Sequence, residues 1–272
     1  MNKFNSRKLK ELYKPAVDSH KGKNGKLLLI GGSKIFHAAS LWSLKVASRI
    51  VDMVFYSSVP ENNQIVQRAK QEFRDGIVVS RNKIEDYIDE SDCILIGPGL
   101  PRKEGKEDGD DDTKFLTEKL LKRYLNKKWV IDGGSLQVIS PDILPQNSII
   151  TPHKGEFEKL FDVKPTQENI SKMAKKYSIV ILTKGKEDVV CSKDECVVIF
   201  GGNAGMTKGG TGDVLAGLVA ALYCKNEAFL SACAGSFINK KAGDSLYKRV
   251  GPYFNSSELV DEIPKVMKKL IF

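Results

Sequence analysis

Residues 201–222 read GGNAGMTKGGTGDVLAGLVAAL. The stretch opens on glycines, passes through Gly209-Gly210-Thr211-Gly212 and reaches Asp213. Beyond it, Val214, Leu215, Leu218, Val219 and Leu222 recur at helical spacing. A glycine-rich turn that opens a helix presents unpaired backbone N–H groups at the positive end of the helix dipole, which suits phosphate. The spacing matches neither GxxxxGK[ST] nor GxGxxG, so this is a different anion hole. Asp213 has two readings. A carboxylate in a first helical turn is often only a cap. Next to bound phosphate it would repel its neighbour, and it is then better explained as a base that takes a proton from an attacking hydroxyl.

Outward from that turn, strand and helix alternate. Residues 26–30, 53–57, 76–79, 94–96, 129–132, 148–151 and 179–183 read as strands, and 38–50, 113–126 and 166–177 as helices. Residues 189–191 and 196–200 read as the arms of a hairpin, and 211–224, 227–249 and 257–270 as helices. Such alternation argues for an α/β fold: a mostly parallel central sheet with helices on both faces. Glycines or polar residues follow five strands: Gly31-Gly32, Gly97 to Gly99, Asp132 to Gly134, His153 and Lys184-Gly185. Ligands of open α/β sheets bind at that edge, so these turns and the 201–213 stretch are expected to share one pocket.

The 272 residues contain no linker or internal repeat, and a single domain over 1–272 is expected. Hydrophobic residues at 41% and charged residues at 28% suit a soluble globular protein, and no apolar run approaches a membrane span. The first residues lack an apolar leader region, which points to the cytoplasm. The net charge of +9 comes from scattered lysines without an aromatic nucleic-acid block, so a solvated lysine surface is expected and nucleic acid is not. The five cysteines have no metal spacing. Cys191 and Cys196 could face each other across the hairpin, but free buried thiols are the default reading. Residues 102–112, RKEGKEDGDDD, end in acids but lack the ligand order of a calcium loop, and a solvated surface loop is expected.

Assembled, these pieces resemble the ADP/ATP-dependent NAD(P)H-hydrate dehydratase family of the ribokinase-like fold. The resemblance runs from His20-Lys21-Gly22 to the last helices. It rests on GKLLLIGGS (25–33), IGPGL (96–100), VID with a small-residue turn (130–136), TPHKGEF (151–157), LTKG (182–185) and GGNAGMTKGGTGDVLAG (201–217). GTGD alone marks only the wider fold; TPHKGEF together with the last motif is far more specific.

The resemblance implies a three-layer α/β/α architecture and a repair reaction. A nucleotide's terminal phosphoryl group goes to the ring hydroxyl of the S epimer of hydrated NADH or NADPH; phosphate then leaves and the ring double bond returns. It implies Asp213 as base and the N–H groups of Gly210, Thr211 and Gly212 as the phosphoryl cradle. It places the nucleotide on Lys184, Gly185, Lys186, Glu187 and Asp188, with Gly212, and Asn203, Gly205 and Met206 close by. Ala38, Gly99 and His153, with Asp213, would line the hydrate pocket. Each also has a plain structural reading: Ala38 lets a helix approach the sheet, Gly99 permits a turn, His153 packs behind a Thr151-Pro152 cap, and Lys184 is exposed. Mg²⁺ is expected with ADP or ATP, without assignable protein ligands. The resemblance further implies a homo-oligomer, a tetramer by analogy, and functional pairing with a separate epimerase. Two positions depart from the family pattern: Gly134 stands where an acid is usual, and His37 where glycine is usual. The alternatives are a kinase of this fold acting on a hydroxyethylthiazole- or pyridoxine-type alcohol, and a non-catalytic nucleotide sensor.

Overall fold

Short apolar runs such as 26–30 become strands because both of their faces are covered. The computed structural model describes residues 2–102 and 105–272. Its strands are β1 (Asn2–Lys3), β2 (Lys26–Ile30), β3 (Met53–Ser57), β4 (Ile77–Val78), β5 (Cys93–Ile96), β6 (Lys128–Ile131), β7 (Ile149–Ile150), β8 (Val180–Thr183), β9 (Asp188–Cys191) and β10 (Cys196–Ile199). They form one sheet in the order β1-β10-β9-β8-β7-β6-β5-β2-β3-β4. All described pairings are parallel except those of β9 with β8 and β10.

The helices are α1 (His37–Ala47), α2 (Pro60–Ala69), α3 (Ile84–Glu90), α4 (Thr113–Arg123), α5 (Gly133–Leu136), α6 (Lys154–Phe161), α7 (Gln167–Tyr177), α8 (Thr211–Tyr223), α9 (Ala228–Val250) and α10 (Ser256–Ile271). Alternate strand residues enter opposite cores. Leu27, Leu29, Cys93 and Leu95 pack with α1, α8, α9 and α10. Leu28, Ile30, Ile94 and Ile96 pack with α3, α4, α6 and α7. This is the expected three-layer arrangement.

Helix α8 is apolar on nearly every side, and the structure buries it between α1, α9 and the sheet. Gly217 makes the α1 approach possible: a Cβ there would stand 2.7 Å from Ser43 Cα. Strand order reverses between β2 and β5, which leave from opposite sides of one crevice. Their ends are tied together, Gly97 N–H donating to Ile30 O at 3.1 Å and Gly32 N–H to Pro98 O at 2.8 Å. That reversal is where open α/β sheets bind ligands.

Two expectations need correction. Cys191 and Cys196 are not free thiols but are joined in a disulfide, because the β9–β10 register sets them directly opposite each other. The acidic end of the 102–112 segment is not simply solvated. Asp110 accepts from Lys34 N–H at 2.9 Å, Asp111 pairs with Arg81 at 2.7 Å, and Asp112 caps α4. Lys103 and Glu104 of that segment lie outside the described residues. No described helix is long and apolar enough to cross a membrane.

Candidate active site

The glycine turn does open a helix. Gly210 takes φ +94° as the N-cap of α8, and a Cβ there would run into the Trp42 ring. Val214 N–H is the first to return to the turn, bonding Gly210 O at 2.9 Å. Thr211 is partly spent locally: its hydroxyl donates to Met206 O at 2.7 Å, and its N–H turns towards Lys208 O at 3.4 Å. Among the described residues, the N–H groups of Gly210 and Gly212 meet no such acceptor. Gly210 and Gly212 therefore keep their N–H groups available at this turn, whereas that of Thr211 is turned aside.

Asp213 lies in the first turn of α8, half-buried, with its carbonyl accepting from Ser43 Oγ at 2.7 Å. Burial and the nearby Asp132 carboxylate push its own carboxyl up to about 7; Lys184 and its own N–H pull it back, and Glu156 adds to the rise. The cause is a convergence of strand ends. Asp132 follows β6, Thr151 follows β7 and Lys184 follows β8. Asp132 is 2% exposed, and its Oδ1 accepts from Lys184 Nζ at 2.8 Å and Thr151 Oγ1 at 2.7 Å. Burial alone would depress Lys184, but Asp132, Glu156 and Asp213 outweigh it and hold its ammonium above the usual range. A Cβ on Gly212 would be 3.5 Å from Lys184 Nζ, so this cation stands directly against the start of α8. Lys184 is therefore not the exposed lysine of the plain reading.

His153 is itself the N-cap of α6, rather than packing behind a Thr151-Pro152 cap. Its Nδ1 accepts from Gly155 N–H at 3.1 Å and Glu156 N–H at 3.2 Å, while Glu156 returns a bond to His153 N–H at 2.9 Å. The imidazole is more than half exposed, and its Nε2 lies 3.5 Å from Oε1 of the buried Glu156. Ala38 sits in the first turn of α1, and Gly99 lies against that turn: a Cβ on Gly99 would be 3.1 Å from Ala39 Cβ.

A cavity of about 610 Å³ opens beside Lys184 and the start of α8. Of the expected nucleotide residues, Lys184, Gly185, Lys186, Asp188, Asn203, Met206 and Gly212 line it. Glu187 does not, nor does Gly205, which is buried against Phe254. Ala38, Gly99, His153 and Asp213 lie outside its lining, towards the β2–β5 crevice and the ends of β6 and β7. Asp213 and Lys184 stand between that cavity and those strand ends. Asn239 and Lys240 of α9 complete the cavity wall, and neither was foreseen. Asn239 is 4% exposed, and its Oδ1 has no partner among the described residues. Asp132 was expected at the shared pocket without a role of its own, and Thr151 was not singled out for the site, although a polar residue at a strand's carboxyl end is the signal for it.

A family model described as NAD(P)H-hydrate dehydratase matches residues 27–265. The chain belongs to the NAD(P)H-hydrate dehydratase family. It is 38% identical over 270 residues to the bifunctional NAD(P)H-hydrate repair enzyme Nnr of Methanocaldococcus jannaschii, covering 96% of this chain and 51% of that protein. The chain thus spans about half the length of that relative. It is 32% identical over 268 residues to the ADP-dependent (S)-NAD(P)H-hydrate dehydratase of Cenarchaeum symbiosum, covering 92% of this chain and 91% of that one. The solved ADP/ATP-dependent NAD(P)H-hydrate dehydratase of Bacillus subtilis, co-crystallized with ATP and Mg²⁺, shares the fold with a TM-score of 0.84 at 22% identity, covering 99% and 98% of the two chains. Against the dehydratase pattern, Gly134 is a steric necessity here, because a Cβ would strike Leu100 O. His37, the other departure, is exposed at the first position of α1.

Proposed function

We propose that this chain, as one catalytic domain, is a nucleotide-dependent dehydratase of the S epimer of hydrated NADH or NADPH, with ADP or ATP as phosphoryl donor. The observation that carries the reading is Asp213. Its carboxyl, raised to about 7, stands at the amino end of α8 between the nucleotide-sized cavity and the strand ends that bear Gly99 and His153. A carboxylate raised to near neutral pH is still about half ionised there and is a stronger proton acceptor than an ordinary one, the balance that suits a general base.

The residues divide the work. The nucleotide enters the cavity between the 184–188 and 201–207 loops, its phosphates towards Gly210, Gly212 and the Lys184 ammonium. The hydrate lies over Ala38, Gly99 and His153 with its ring hydroxyl at Asp213. Asp213 takes the hydroxyl proton as the oxygen forms a bond to the terminal phosphorus, and the bond to the nucleotide breaks. Backbone N–H groups and Lys184 stabilise the charge that spreads over the moving phosphoryl oxygens. The ring C–O bond then breaks, phosphate departs in place of the poorer leaving group hydroxide, and the neighbouring ring carbon gives up a proton so that its C–H electron pair re-forms the ring double bond. Asp132 and Thr151 touch none of these atoms; they fix Lys184.

No cluster of three metal-ligating side chains exists among the described residues. Asp132, the acid nearest to Asp213 in effect, is already bonded by Lys184 and Thr151. The residues present do not fit a protein-held ion, and Mg²⁺ is assigned to the nucleotide phosphates themselves. A cytoplasmic homo-oligomer working beside an epimerase completes the reading; the bifunctional name of the Methanocaldococcus jannaschii relative supports that pairing.

The test is incubation of the protein with hydrated NADH and ADP or ATP in parallel. NADH absorbance returns with stoichiometric phosphate if the reading holds. A stable phosphorylated alcohol would instead identify a kinase, and bound nucleotide without turnover a sensor.

A further inference from the structure

We propose that Lys240 is a positioning residue that builds the nucleotide cavity by tying its two loops to helix α9. Lys240 lies in the middle of α9, and its side chain is only 7% exposed. Its Nζ reaches Gly185 O and Lys186 O at 3.1 Å each, Gly201 O at 3.3 Å, and Asp188 Oδ1 at 3.2 Å. All three carbonyls belong to residues that line the cavity, the first two from the 184–188 loop and the third from the 201–207 loop. An ammonium has three N–H donors. Four acceptors surround this one, so all its donors are directed at protein oxygens and none is left for a phosphate.

The same helix holds the loop a second way. Ser236, one turn before Lys240, donates to Asp188 Oδ2 at 2.7 Å, while Asp188 Oδ1 accepts from Gly185 N–H at 2.9 Å. Asp188 is thereby committed to shaping the 184–188 loop. The loop also carries Lys184, so α9 reaches the chemistry through one continuous set of contacts. Fixing both walls before the ligand arrives removes ordering entropy that binding would otherwise have to supply. Lys240 thus sets nucleotide affinity without touching the nucleotide's reacting atoms.

The inference rests on the nucleotide-dependent reading above, and direct binding separates the two. ADP and ATP are titrated calorimetrically into the wild-type protein, Lys240→Gln and Lys240→Met; hydrate KM is measured at saturating nucleotide. Gln keeps two donors for the carbonyls without the charge, and Met keeps neither. The expected result is a Kd raised about tenfold or more for Lys240→Met, less for Lys240→Gln, with hydrate KM within about twofold of wild type. Asp188 left without its cation is a threat to folding, so the pair Lys240→Met with Asp188→Asn is made alongside; a weakened Kd in that folded pair supports the proposal equally. Folded variants that bind both nucleotides as wild type does would overturn it, as would equal rises in nucleotide and hydrate constants. Failure of all three variants to fold would also overturn it, making Lys240 a residue of folding only. Absence of nucleotide binding by the wild-type protein would instead sink the functional reading.

Discussion

Replacing Asp213 by asparagine should make the protein more stable and the enzyme far slower. The carboxyl is raised from 3.8 to about 7, chiefly by burial and then by Asp132. Each pH unit between those values corresponds to about 1.4 kcal/mol, so a charged Asp213 costs the native state up to about 4 kcal/mol. The attraction of Lys184 is already contained in that shift; solvent access at this half-buried side chain lowers the expected cost to about 2 kcal/mol. The sign follows from proton counting. Between pH 3.8 and about 7 the native state keeps a proton that the unfolded chain has already lost. This group's contribution therefore falls as pH rises through that window, and its cost is complete above it. Urea unfolding of wild type and Asp213→Asn from pH 5 to 8 should show their stabilities diverging as pH rises, with the variant ahead. Turnover should fall by about 10²–10⁴ while nucleotide still binds, and wild-type kcat/KM should reach half its plateau near pH 7. A stability difference that is flat with pH, joined to unchanged turnover, would refute the picture of a desolvated base.

Other changes probe its neighbours. Lys184→Met leaves the buried Asp132 carboxylate unpaired and should cost about 3–5 kcal/mol of stability; with Lys184 gone from beside Asp213, any surviving pH–rate profile should move to higher pH. His153→Asn retains a capping side chain whereas His153→Ala does not, so only the alanine should lose about 1 kcal/mol in thermal unfolding. If both raise hydrate KM alike, the imidazole contributes to substrate binding beyond its cap. Reduction of Cys191–Cys196, five positions apart in sequence, opens a very short loop and should lower stability by about 2 kcal/mol; a Tm unaffected by dithiothreitol would contradict that bond.

Strands β2, β3 and β5 were legible because burial on both faces leaves an unbroken apolar run. Helices α2, α3 and α6 were not. Helix α2 buries only Asn62 and Val66, too little to leave an apolar stripe. Helix α6 starts at a histidine cap, outside the usual Ser, Thr, Asp and Asn signal. The short helix α5 forms over Gly133-Gly134, where glycines read as a turn. In the site, Gly210, Gly212, Asp213 and Lys184 could be picked out because their residue types carry chemistry at helix and strand ends. Lys240 could not: it sits in the run Asn239-Lys240-Lys241, which reads as a wet surface until the fold turns one of its two lysines inward. Asp188 was singled out for the nucleotide, yet its bonds go to the protein, a distinction that needs three dimensions.

Strand β1 gives the amino end of the chain a mechanical part in the wall of the Lys184 cavity. Asn2 and Lys3 pair in parallel with Val197 and Val198, and Phe4 N–H continues the ladder to Val198 O at 3.1 Å. That seam closes the outer margin of the strand that feeds Gly201 and the wall Lys240 grips. Phe4, Leu9 and Leu12, all sunk in the core, act as its rivets. Trimming or tagging the polypeptide ahead of Phe4 would therefore be felt some two hundred residues downstream, as slack in the loop that borders the Lys184 cavity.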